Sequence, residues 1–170
     1  VLLFSLGLYL SFWINTSAFI LACLNSFLLF AYAKDLQNRF LLSNLVISFL
    51  VASTFVFGGL AVQNLFPALL LGLLAFFANV AREIIKDIED RVADSTKEIS
   101  SLPLVLGEEK SRMVSSVLII FAIVFSPLPL VFHVFDIKYA FAVIPSVATF
   151  AYSVYLNEQG VESSDIQTKI

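Results

Sequence analysis

Residues 40–81 read FLLSNLVISFLVASTFVFGGLAVQNLFPALLLGLLAFFANVA, without one ionisable side chain. A helix needs about 20 largely apolar residues to cross about 30 Å of hydrocarbon, because no water there can pair with open backbone groups. This run is long enough for two crossings, and the polar pair Gln63-Asn64 divides it into them. The same absence of charge recurs across residues 1–32, 113–134 (with His133 counted neutral) and 139–157. Working outward, the runs predict six helical segments at about 1–14, 16–36, 43–63, 66–90, 112–134 and 138–156. The expected fold class is therefore all-α, a polytopic transmembrane helical bundle.

Composition agrees. Of 170 residues, 59% are apolar and 14% charged, and the mean hydropathy is +0.94. A soluble domain averages about 45–50% apolar and about 25% charged, so a water-soluble fold is excluded. A net charge of −3 argues against nucleic acid as a partner, and one cysteine, Cys23, excludes a disulfide framework and a CxxC metal site.

Five segments are long enough to span. The first, about 14 residues or about 21 Å at 1.5 Å per residue, begins at Val1 with no initiator Met, basic leader or cleavage pattern. It reads as the surviving half of a longer helix. The expected organisation is a partial transmembrane bundle over 1–156, with a charged region at 82–112, and a polar tail or loop over 157–170 toward a missing helix.

Basic residues give an orientation, since positive loops stay in the cytoplasm. Lys34 and Arg39 follow segment two, six cations from Arg82 to Arg112 follow segment four, and Lys169 follows segment six. The opposite connections, at Asn15 and Gln63-Asn64, carry none, and the third has Lys138 beside Asp136. The charged region is thus expected on the cytoplasmic side of the cell membrane. Gly58, Gly59 and Gly72 would let helices approach closely. Pro127, Pro129 and Pro145 fall inside predicted helices and would kink them. Trp13 reads as an interfacial anchor, Cys23 as a small apolar packer, and His133 as a structural or interfacial residue.

Between Arg82 and Arg112 lie 14 of the 23 charges. Glu83, Asp87, Asp90 and Asp94 are spaced i, i+4, i+7, i+11, one stripe of a 3.6-residue helix. Like charges at that spacing repel, so a cation is expected against them. Mg²⁺ takes one or two protein carboxylates and completes its shell with water and phosphate oxygens. The stripe therefore suits a metal–diphosphate, with Arg82, Lys86, Arg91 and Lys97 available for the remaining phosphate oxygens. On spacing alone, a solvated helix end with local pairs Lys86–Asp90 and Asp87–Arg91 explains the same residues.

The run at 79–94, NVAREIIKDIEDRVAD, followed by SLPLVLG at 101–107, resembles the second aspartate-rich motif of the UbiA family of intramembrane prenyltransferases, in wording closest to its archaeal branch. Tyr32, Leu36, Asn44 and Gly58-Gly59 resemble that family's loop between its fourth and fifth helices and the helix after it. The likeness covers roughly 30–156. It implies about six segments of an expected nine, a cavity for an isoprenyl diphosphate, and Mg²⁺ as cofactor at two aspartate-rich motifs. The implied reaction transfers an isoprenyl group from an allylic diphosphate, geranylgeranyl diphosphate in the archaeal branch, to a lipid acceptor, geranylgeranylglyceryl phosphate, in ether lipid synthesis. By the match, Asp87, Asp90 and Asp94 are metal-side, catalytic carboxylates. Arg82 and Lys86 are candidates for phosphate contacts or for structural pairs with Glu83, Tyr32 lies at the mouth of the site, and Lys97 is the substrate-side cation that would compensate for positive charge lost from the family pattern.

The chain departs from the family pattern in places. The first motif, Asn-Asp-x-x-Asp-x-x-x-Asp, does not occur in it. Gln37 stands where Lys is usual, Ser43 where Gly is, and Glu98 and Ser100 where Gly and Lys follow the last Asp. Two other functions compete: a divalent-cation transporter, and a family member that binds isoprenoid without turnover. Conduction should place ionisable residues within the spans, whereas here they gather at helix ends.

Overall fold

In the computed structural model of the chain, residues 2–36, 39, 41–96 and 101–159 are described, and for 92–96 only the backbone is. The described residues form eight helices in the order α1 Leu2–Ile14, α2 Thr16–Lys34, α3 Leu42–Ala61, α4 Leu65–Thr96, α5 Leu102–Leu106, α6 Glu108–Phe125, α7 Leu128–Val131 and α8 Lys138–Glu158. Five stretches are long and apolar enough to cross a membrane, with α6 and α7 counted as one; α1 is shorter. That matches the six expected segments, five of spanning length.

Single polar residues set the corners. The Asn15 side chain accepts from Ala18 N at 2.8 Å, capping α2. Its Nδ2 donates to Leu60 O at 2.8 Å, which fixes the α1–α2 corner to the end of α3. The α3–α4 turn closes with Gln63 at φ 55 and Asn64 N donating to Gly59 O at 2.9 Å. Gly59 is obligatory there, because a Cβ would sit 2.3 Å from that of Ala68. Gly72 lies against Ala52 O, 3.1 Å from where its Cβ would be. Gly58 faces open space, so of the three expected close-approach glycines two serve that role.

Helix α4 organises the molecule. Its 32 residues extend about 48 Å at 1.5 Å each, more than the roughly 30 Å of hydrocarbon, so its charged end projects into water. Val80, Ile84 and Ile88 form one buried face at that end and pack with Leu102 of α5; Leu41, Phe76, Val114 and Leu118 close around them. Helix α3 packs along one side of α4 and α6 along another, and α8 packs on α6. Elsewhere large apolar side chains are exposed, Leu2 and Phe141 among them, as lipid-facing surfaces require.

Two expectations change. Segment five, expected as one helix over 112–134, begins earlier at Glu108 and ends at Phe125, with Pro127 in the turn before α7. Pro127 has no N–H to continue the ladder, so it stops α6 instead of kinking it, and Pro129 falls in the first turn of α7. Pro145 does lie inside a helix, α8. The short α5, with Leu102 and Pro103 buried, was not foreseen as a separate element. Gly107 at φ +86 makes the turn from it into α6.

Candidate functional site

Each residue turns a helix by about 100°, and that rotation fixes which faces the end of α4 presents. Centred on the buried Ile84, the acidic stripe lies about 60–120° round the helix, with Asp87 nearest the packed face and Asp90 farthest. Burial follows this order: Asp87 is half-buried and Asp90 exposed. Lys86 and then Arg82 come next on the circumference, followed by the face formed by Ala78 and Ile85.

Asp87 is held from α3. Asn44, 4% exposed and in the first turn of that helix, donates from Nδ2 to Asp87 Oδ2 at 2.8 Å. Ser43 Oγ donates to Asn44 Oδ1 at 3.1 Å, which turns the amide's N–H groups toward the carboxylate. A second rung lies below: Asn79 Nδ2 donates to Ser48 Oγ at 3.1 Å, and Ser48 Oγ donates to Asn44 O at 2.6 Å. Helices without a hydrophobic drive to associate in lipid use such polar contacts to fix their register.

The cations differ in their pairing. Arg82 contacts Glu83 at 2.8 Å, while Lys86 and Asp90 are 3.8 Å apart with both side chains more than half exposed. That pair contributes about 1 kcal/mol at most. Arg91 pairs across the chain with Glu108 of α6, in place of the expected local partner Asp87. Tyr32, half-buried near the end of α2, is within electrostatic range of Glu83, Lys86 and Asp87.

On the Ala78–Ile85 face opens an apolar cleft. Its upper part, about 360 Å³, is lined by Asn79, Arg82 and Ile85 of α4, Ile119 of α6, and Thr149, Phe150 and Ser153 of α8, with Val51 of α3. A lower part of about 310 Å³ shares Ala75, Ala78 and Phe150 with it and continues past Phe55, Leu74 and Val147 to Ser126 and Tyr139. Each part is in the size range of small-ligand pockets. Among the described residues lining the two parts, Arg82 is the one that is charged, and its side chain is largely exposed.

Asp94 is placed on α4 by its backbone alone, and Lys97 lies outside the described residues, as do Gln37, Glu98 and Ser100. Among the described residues no three His, Cys, Asp or Glu side chains gather into a metal cluster. Asn44 as a holder of Asp87, and Asn79 beside the cleft, were not singled out as site residues from the sequence. Both fall in the stretches that carry the family resemblance, but an amide inside an uncharged span does not say what it binds.

The description "UbiA prenyltransferase family" belongs to a family model that matches residues 1–169. A digeranylgeranylglyceryl phosphate synthase of Methanococcus maripaludis strain S2 is 39% identical over 150 residues, 88% of this chain and 53% of that protein. One from Methanosphaera stadtmanae is 35% identical over 170 residues, 100% of this chain and 62% of that protein. A solved structure of digeranylgeranylglyceryl phosphate synthase in membranes superimposes with a TM-score of 0.84 at 33% identity, covering 98% of this chain and 60% of that one. The chain thus spans between half and two thirds of the length of these relatives.

Proposed function

Because the chain belongs to the UbiA prenyltransferase family and is an integral membrane protein, we propose that it forms part of an Mg²⁺-dependent prenyltransferase of archaeal ether lipid synthesis. The donor is an allylic isoprenyl diphosphate, geranylgeranyl diphosphate, and the acceptor a lipid alcohol, geranylgeranylglyceryl phosphate. The names borne by the archaeal relatives support the substrates. What carries the reading on this chain is the sequence of faces round α4: carboxylates, then cations, then the mouth of an apolar cleft.

The donor set suits a hard cation. Residues 82–96 offer carboxylate oxygens and neither thiol nor imidazole, and Asn44 orients one of those carboxylates from outside. In this reading Asp87, Asp90 and Asp94 hold Mg²⁺, which when bound would act as a Lewis acid on the diphosphate leaving group. Arg82 and Lys86, between the acidic stripe and the cleft, bind phosphate oxygens the metal leaves free, and Lys97 is assigned the same role from the sequence. Tyr32, within electrostatic range of Glu83, Lys86 and Asp87, lies on the α2 side of the acidic stripe.

The cleft takes the prenyl chain. Its walls exclude water from the allylic carbon as the C–O bond breaks, and Phe150, which lines the same part of the cleft as Arg82, is the aromatic side chain there for the positive charge that develops. By the distribution of Lys and Arg, the acidic end faces the cytoplasm. The bundle is one membrane domain, and its last described helix, α8, runs to Glu158, two residues past the expected boundary at 156.

The deciding experiment replaces Asp87 and Asp90 together by Ala in the full-length protein. Mg²⁺-dependent transfer should vanish while helical content by circular dichroism stays. Undiminished transfer would remove the assigned role.

A further inference from the structure

The end of α4 has a second set of contacts that the proposed chemistry does not use. Glu108, in the first turn of α6, receives Arg91 of α4 on Oε2. Its Oε1 takes Arg112 Nη2 at 2.7 Å and Nε at 3.2 Å. Arg112 then reaches α8, with Nη1 3.3 Å from Asn157 O and 3.5 Å from its Oδ1. That carbonyl is one of the last of α8, where the helix's own donors run out, and the N–H of the C-cap Gln159 also faces it. The guanidinium supplies a donor and a positive charge at the negative end of the helix dipole. Asn157 is 4% exposed, and its Nδ2 lies 3.0 Å from Arg112 O, 2.9 Å from Ser115 Oγ and 2.8 Å from Ser116 Oγ.

Stability alone does not account for this relay. The Arg112 side chain is 13% exposed, and taking a charge out of water costs several kcal/mol. Apolar residues of similar volume at such positions are often as stabilising, and in some proteins the buried polar contacts serve instead to hold one register. Register matters here because α8 supplies Thr149, Phe150 and Ser153 to one wall of the cleft and α4 supplies Arg82 and Ala78 to the other.

We infer that Arg112 is a positioning residue: through Glu108 to Arg91, and through Asn157 to α8, it sets the distance between the aspartate-bearing end of α4 and the opposite wall of the cleft. The inference rests on the prenyltransferase reading of that cleft, and the relay acts at a distance from the reacting atoms.

The test uses the full-length protein with Cys23→Ser and spin labels at Glu89→Cys on α4 and Tyr155→Cys on α8. Without further change the interlabel distance distribution should be narrow. Arg112→Leu should broaden it or shift it by several ångströms, and in unlabelled protein it should lower kcat about 10- to 100-fold, as small misplacements do, with the thermal midpoint little changed. Arg91→Leu and Asn157→Leu, which do not touch each other, should each give part of the effect and together no more than the larger single effect, the sign of one coupled unit. If Arg112→Leu fails to fold, Glu108→Gln keeps the shape, removes the charge and should broaden the distribution likewise. An unchanged distribution in a folded relay variant, or strictly additive Arg91 and Asn157 effects, overturns the inference. A labelled protein that shows the broadening but whose unmodified form transfers no prenyl group keeps the positioning role and removes the proposed reaction instead.

Discussion

Asn44 and Asp87, 43 residues apart in sequence, are joined by a hydrogen bond of 2.8 Å that ties the start of α3 to the charged end of α4. Ser43 fixes the amide's orientation, so one oxygen of Asp87 is engaged and the carboxylate plane is set. A carboxylate held by a neighbouring side chain keeps a constant direction, as a metal ligand requires.

Replacing Asn44 by Ala should therefore weaken the site without removing a ligand. The concentration of Mg²⁺ for half-maximal transfer should rise about 10- to 100-fold, the usual cost of losing an orienting partner, with activity recovering at saturating metal. A metal titration of the full-length protein measures this. Loss of activity that no amount of Mg²⁺ restores would place Asn44 in a different role.

The spans were legible because charge is excluded from hydrocarbon so strongly that uncharged runs mark helices by themselves. The acidic stripe was legible for the same reason, as the place where the exclusion ends. Pairing was not. The i, i+4 rule gives Arg91 to Asp87, yet Glu108 takes Arg91 from across the α5 turn, a tertiary contact with no periodicity to reveal it. Asn44 and Asn79 read alike from the sequence as amides in apolar spans; only the α3–α4 crossing gives one to Asp87 and the other to Ser48. Hydropathy likewise cannot separate a proline that kinks a helix from one that ends it, so the break at Ser126-Pro127 does not show in an uncharged run.

The α3–α4 hairpin makes a prediction about stability that is independent of function. Gly59→Val puts carbon where Ala68 Cβ already stands, 2.3 Å away, and should cost about 1–3 kcal/mol, the range for overpacking a close contact. Gly58→Ala, next in the chain but facing open space, should be neutral or stabilising by up to about 1 kcal/mol through helix propensity. Thermal unfolding in detergent distinguishes the two. Equal destabilisation by both would mean that the hairpin does not pack as described.

Asn15 should behave as a corner post. Asn15→Ala removes the cap of α2 and the bond to Leu60 O together, and loss of the cap alone costs about 0.5–2 kcal/mol. Asn15→Asp keeps the acceptor for Ala18 N but loses the amide donor, so it should fall between Ala and the native residue. Proteolytic nicking at the α1–α2 corner should rise in the same order.

The cleft makes the most specific prediction about substrate. Ala75 and Ala78 line both its upper and lower parts, so a bulky side chain at either should narrow the passage between the parts while leaving Arg82 and the acidic stripe in place. A short prenyl chain that occupies only the upper part, about 360 Å³, would still fit; one that must continue toward Tyr139 would not. Ala78→Phe in the full-length protein should accordingly raise KM for a long allylic diphosphate about tenfold or more, since a blocked apolar subsite loses several buried CH₂ groups at about 0.8 kcal/mol each. The KM for a short allylic diphosphate should change little. Steady-state kinetics with donors of graded length measures the ratio, and an equal rise for every length would mean that the chain does not enter this cleft.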